Sequence, residues 1–125
     1  MNKRTKALDI SDTERKLVIE RQNGKSISGL SLQVYGCEIH HFVSRGCEGV
    51  GYEFNLVALT PEEHRAVHDH QPVKLNGRVR YTYQEFQTLI RNHLIRNYIN
   101  WTYEGCKYNK KYETKNDYGI YRRKK

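Results

Sequence analysis

The chain has 125 residues, one domain's worth of protein, so a single core is expected rather than two globular units and a linker. Lys and Arg number 22 against 14 Asp and Glu, a formal charge of +8, with 37% hydrophobic residues and two prolines; this balance excludes disorder throughout and describes a globular domain with a basic surface. The N-terminus lacks the apolar stretch of a secretion signal, and no apolar run nears the roughly 18 residues of a membrane-spanning helix, so neither secretion nor a membrane partner is expected.

Three cysteines, Cys37, Cys47 and Cys106, are an odd count without paired spacing. Free thiols in a reducing cytoplasm are the expectation. Charge divides unevenly: residues 1–25 hold seven basic and four acidic side chains, 26–103 seven of each, and 104–125 eight and three. The excess at the two ends suits a polyanion and leaves the chemistry to the middle. A domain over 1–103 with a basic tail over 104–125 is therefore expected. That tail interleaves Tyr108, Tyr112, Tyr118 and Tyr121 with Lys107, Lys110, Lys111 and Lys115, a mixture that meets bases with rings and phosphates with ammonium groups. The alternative is a solvated, fraying terminus.

In chain order, Ser11 and Glu14 have capping-box spacing, with Ile10 placed as a staple, and predict a helix from about Asp12 to Gln22, closed by Gly24. Short apolar patterns from Ile27 to Val43 read as strand. Ser44 to Gly51 is a loop, and Asn55 to Leu59 is a second short strand, giving a hairpin with a wide loop. Thr60, Pro61 and Glu63 then supply an N-cap, a first-turn proline and a capping glutamate, predicting a helix from Pro61 through His68. Pro72 to Gly77 reads as loop. Thr82 and Glu85 repeat the capping pattern before Phe86, Leu89, Ile90, Leu94 and Tyr98, an amphipathic helix, with Trp101 beyond it as an anchor on the core.

Five of the six histidines lie between residues 40 and 70. On a helix beginning at Pro61, His64 and His68 stack on one face, where two imidazoles can bind one metal ion. A third ligand must come from elsewhere, and the hairpin can fold His40 back within reach. Three neutral imidazoles with an open position make a catalytic type of metal site. The adjacent pair His40–His41 can divide ligand and base, because a neutral imidazole is a natural base near pH 7. Strict strand alternation would send the two to opposite faces, so a shared site needs an irregular or ending strand, or a phosphate that spans from one side to the other. His70 and His93 are expected to be structural.

These residues together resemble the HNH endonucleases, nucleases of the ββα-metal fold, and most closely their small bacteriophage members. The resemblance rests on Cys37-Glu38-Ile39-His40-His41-Phe42-Val43-Ser44-Arg45-Gly46, Glu53-Phe54-Asn55-Leu56-Val57-Ala58-Leu59 and His64-Arg65-Ala66-Val67-His68. Its core covers residues 37–68, and the flanks match more loosely. It implies an α+β fold with a hairpin-plus-helix core between N-terminal and C-terminal helices. It further implies His40, His64 and His68 as metal ligands, His41 as general base, and Asn55 holding the base or the loop in position. Arg45, Arg65, Lys107, Lys110 and Lys111 are the expected nucleic-acid contacts.

The implied activity is hydrolysis of DNA, double-stranded by expectation, to 5′-phosphate and 3′-hydroxyl ends with one divalent ion: zinc, manganese, nickel, cobalt or magnesium. A phage origin would place it in the host cytoplasm, with terminase or portal as protein partners. Many small phage members also carry a tetrathiolate zinc held by two Cys-x-x-Cys pairs. The corresponding stretches here, Lys25 to Gly29 and Thr60 to His64, contain no cysteine, so no such zinc is expected. Two other readings compete: a non-catalytic zinc-stabilised nucleic-acid-binding module using Cys37, His40, His64 and His68, and a DNA-packaging accessory protein.

Overall fold

The computed structural model describes residues 2–124. Helices α1 (Lys3–Leu8) and α2 (Asp12–Arg21) precede a helical turn α3 (Leu32–Tyr35), strand β1 (Glu38–His41), strand β2 (Leu56–Leu59) and helix α4 (Pro61–His68). Strands β3 (Val73–Leu75) and β4 (Arg78–Tyr81) lead into helix α5 (Tyr83–Asn97), and β5 (Tyr98–Ile99) is paired by the late strand β6 (Tyr121–Arg122). The strands form three two-stranded antiparallel sheets, so the domain is mixed α+β. No helix among the described residues is long and apolar enough to cross a membrane.

The helices start where their caps dictate. Thr60 accepts a hydrogen bond from the Glu63 amide at 3.2 Å while the Glu63 carboxylate accepts from the Thr60 amide at 2.8 Å, and Pro61 opens α4. Thr82 and Glu85 cap α5 in the same reciprocal way. At α2 only half of the expected box forms. Ser11 accepts from the Glu14 amide, but the Glu14 carboxylate accepts instead from the distant Glu53 amide at 2.6 Å.

Strand β2 is the centre of the domain. Its four residues, Leu-Val-Ala-Leu, are all buried, and alternation along the strand divides them between two apolar clusters. Leu56 and Ala58 pack with Val18 of α2 and Ile39 of β1, whereas Val57 and Leu59 join Phe86, Ile90 and Leu94 of α5. Burial of both faces explains why β2 reads as a continuous apolar run. The four-residue spacing of Phe86, Ile90 and Leu94 gives α5 its core stripe. Trp101 takes the anchoring place expected of it, its Nε1 donating to the Phe54 carbonyl at 2.7 Å.

Three parts of the chain differ from the sequence expectation. The apolar pattern from Ile27 to Val43 contains only the short strand β1; Ser31 caps a single helical turn at Leu32–Tyr35, whose Val34 and Tyr35 face solvent. The loop expected at Pro72 to Gly77 is the start of the β3–β4 hairpin. Asn76 and Gly77, both at positive φ, form its two-residue turn, the arrangement that favours Asn-Gly in tight hairpins. The segment set apart as a basic tail is integrated into the domain: Cys106 and Ile120 are buried in the main cluster, β6 pairs with β5, and the Val50 amide donates to the Cys106 carbonyl at 2.9 Å.

A buried ion network fixes this segment in place. Lys115 Nζ lies 3.0 Å from the Glu14 carboxylate and 2.7 Å from that of Glu53, and Tyr98 donates to Glu53 at 2.8 Å. Both carboxylates are nearly inaccessible. Replacing Lys115 with Ala leaves Glu14 without its cation and Glu53 with only Arg122, 3.6 Å away, and is expected to destabilise the protein by about 3 kcal/mol in chemical denaturation.

His93, on α5, has its pKa pushed down from 6.5 to about 3 by burial, with the Arg21 and Arg96 guanidiniums acting in the same direction. Between those values the unfolded chain binds a proton that the folded one refuses, so stability falls as pH falls. The variant His93→Gln should remove on the order of 2 kcal/mol of the stability loss between about pH 6.5 and 4.5, measured as denaturation midpoints of the metal-free protein.

Candidate active site

The β1–β2 hairpin sets His40 opposite Val57 and His41 opposite Leu56, and the Phe42 amide closes the ladder onto the Asn55 carbonyl at 2.8 Å. Helix α4 follows after Thr60, which brings its first turns alongside β1. The His40 and His64 rings meet edge to face, their centroids 5.1 Å apart. His40 is held uncharged at neutral pH, its pKa pushed down to about 3 by burial and then by the imidazoles of His64, His41 and His68.

His64 Nδ1 lies 2.8 Å from Glu38 Oε1. A carboxylate only accepts, so Nδ1 carries a proton, and in the neutral imidazole the lone pair is on Nε2. Such a carboxylate behind an imidazole is the arrangement that orients a ligating histidine. His68 lies one turn beyond His64 and is largely exposed, with Nδ1 3.3 Å from Asp69. Glu38, Pro61, His64, Arg65 and His68 line an open cleft of about 360 Å3.

His41 points elsewhere. Its Nε2 lies 2.9 Å from the Leu8 carbonyl at the end of α1; because the carbonyl accepts, Nε2 carries the proton and Nδ1 is the free base. Burial lowers the His41 pKa, opposed by the Leu8 hydrogen bond and assisted by Arg45. The alternation problem raised by the sequence is thus real: His40 turns to α4 and His41 to α1. His64 nonetheless remains within electrostatic range of His41.

Asn55 holds the loop rather than a histidine ring. Fully buried, it accepts from the Val43 amide at 2.8 Å and donates to the Val43 carbonyl at 3.0 Å and the Val50 carbonyl at 2.8 Å. Gly49 completes this closure, since a Cβ there would stand 1.7 Å from the Val43 carbonyl oxygen.

The cationic residues are dispersed. Arg65 lines the histidine cleft. Arg45 is paired with Asp9 close to His41. Lys107 bridges to Gly49 of the loop, pairs with Glu104 at 3.0 Å and lies over the Tyr103 ring. Lys110 and Lys111 are exposed near α1, where Lys3 Nζ donates to the Lys110 carbonyl. Cys37 packs with the cluster that contains Ile39, and burial raises its thiol pKa, which separates it from the His40 side of the strand.

Among the described residues, no three His, Cys, Asp or Glu side chains converge on one point as they stand. The donor chemistry still fits a divalent ion of borderline softness: two imidazoles in contact, His40 uncharged and His64 with its tautomer fixed, and a third on the same helix face free to change rotamer. The sequence reading missed Glu38 and the Leu8 carbonyl. Glu38 was legible, since it sits two residues before His40 and so on the same strand face; the Leu8 carbonyl carries no side-chain signal. Comparison with family models, curated proteins and solved structures finds no match.

The Asn55→Ala variant leaves the Val43 amide and two carbonyls without their partner. It is expected to cost about 3 kcal/mol and to speed hydrogen exchange at Val43, while Asn55→Asp, which sets a buried carboxylate oxygen against the Val43 and Val50 carbonyls, should cost at least as much.

Proposed function

We propose that this chain is a metal-dependent DNA endonuclease of the HNH type, with the β1–β2 hairpin and α4 as its ββα-metal core. The carrying observation is the contact of the His40 and His64 rings, with Glu38 fixing the tautomer of His64 and His41 offering a free Nδ1 one residue along. His40, His64 and His68 would hold one divalent ion, for which imidazole ligands favour zinc, nickel, cobalt or manganese over magnesium. When bound, such an ion supplies Lewis-acid stabilisation to a phosphoryl oxygen and to the leaving 3′-oxygen.

The remaining chemistry belongs to the chain. His41 Nδ1 takes the proton from the attacking water, and the Leu8 carbonyl stabilises the imidazolium that forms, because its hydrogen bond from Nε2–H strengthens with charge. Arg65, at the cleft, meets the phosphate, and the cations of the two chain ends attract the polyanion from a distance. Water attack on phosphorus with loss of the 3′-oxygen leaves 5′-phosphate and 3′-hydroxyl ends. Cys37, packed with Ile39, argues against the four-ligand zinc module.

Supercoiled plasmid incubated with manganese, nickel, zinc, cobalt or magnesium is expected to be nicked or linearised, and EDTA to stop it. His41→Ala should slow cleavage by about 100-fold or more, and Cys37→Ser should leave metal binding intact. Cleavage by His41→Ala at the parental rate would remove the assigned base.

A further inference from the structure

A second cavity lies apart from the histidines. Tyr52, Tyr108, Tyr112 and Tyr118, with Lys3 and Lys6, surround a space of about 340 Å3, within the roughly 300–1,000 Å3 range of small-ligand sites. It shares α1 with the histidine site: Ala7 lines the cavity, and the next residue, Leu8, offers its carbonyl to His41.

The rings are fixed by one another. Tyr118 stands edge to face against Tyr112, centroids 4.8 Å apart, and against Tyr52 at 5.5 Å, and its hydroxyl accepts from the Asn109 amide at 3.3 Å. All four tyrosines are half-buried, so they line the cavity without being sealed in the core. The two lysines differ. Lys3 is tied to Glu113 at 2.8 Å and to the Lys110 carbonyl, whereas Lys6 is exposed and makes no ion pair among the described residues. A preformed aromatic wall with one uncommitted ammonium group at its rim suits a flat aromatic ring carrying one phosphate, and Glu113 at the cavity disfavours a di- or triphosphate.

We propose that this cavity binds one nucleotide, its base stacked on the tyrosine rings and its phosphate against Lys6. The site goes beyond the nuclease reading and does not depend on a bound metal. Stacking on an aromatic ring accepts any base, so the site is not expected to read sequence. It takes either a free mononucleotide or an unpaired residue of a single strand.

The test uses the full chain in EDTA with a short DNA single strand carrying one 2-aminopurine, whose fluorescence is quenched on stacking. Saturable quenching is expected. Tyr112→Ala should weaken it about tenfold, Tyr112→Phe should retain it, and Lys6→Glu, at an exposed position that leaves the fold intact, should weaken it and reduce its salt dependence. Quenching by 2-aminopurine nucleoside monophosphate at similar concentration identifies a free nucleotide as sufficient; quenching only within the strand identifies the strand. Absence of quenching by either probe, equal binding by Tyr112→Ala and the parent, or full competition by a strand of the same length lacking the base would overturn the proposal.

Discussion

The hydrogen bonds of one buried amide organise the middle of this protein. Asn55 ends the turn before β2, yet its side chain reaches both ends of the 43–50 loop. Without it, the Val43 amide and two carbonyls would be buried unpaired, a cost of about 3 kcal/mol that matches the burial of a large apolar side chain. Closing the loop fixes where β1 ends, and the end of β1 is where His40 and His41 diverge toward different helices. Gly49 shows how tightly the closure is made, because no side chain fits there.

The electrostatics follow a consistent division. The histidine centre is kept uncharged at His40 by burial and by its neighbours, and the carboxylate of Glu38 polarises His64 from behind. Charge is concentrated elsewhere, and part of it is internal. Lys115 and Arg122, drawn from the basic C-terminal segment, face Glu14 and Glu53 and hold that segment to the core. Only the remainder, including Arg65, Lys110 and Lys111, is available to a polyanion. These pairs cancel internally, so they leave the net charge of +8 unchanged and reduce only the number of cations free to meet a polyanion.

The C-terminal segment also links the two candidate sites. Cys106 and Lys107 pair with the loop that Asn55 closes, while Tyr108, Tyr112 and Tyr118 face the cavity beside α1. A stretch that composition sets apart as a tail thus contributes to both, because its apolar residues, Cys106 and Ile120, are buried in the common core.

Local chemistry settled α2, β2, α4 and α5 from the sequence. Side-chain caps at Ser11, Thr60 and Thr82 act on amides three residues away, and apolar periodicity records which face is buried, so neither needs the rest of the chain. The histidine spacing likewise placed His64 and His68 on one helix face. Tertiary structure decided what depends on distant partners. It turned Glu14 away from its own cap toward Glu53, placed Leu8 against His41, and gave the Ile27–Tyr35 stretch a helical turn where its apolar residues suggested a strand. It also folded residues 104–124 into the core. Apart from the helical turn, which Ser31 caps locally, these are contacts between residues far apart in sequence, whose energy comes from burial and pairing in three dimensions and leaves no periodic or local trace in the order of residues.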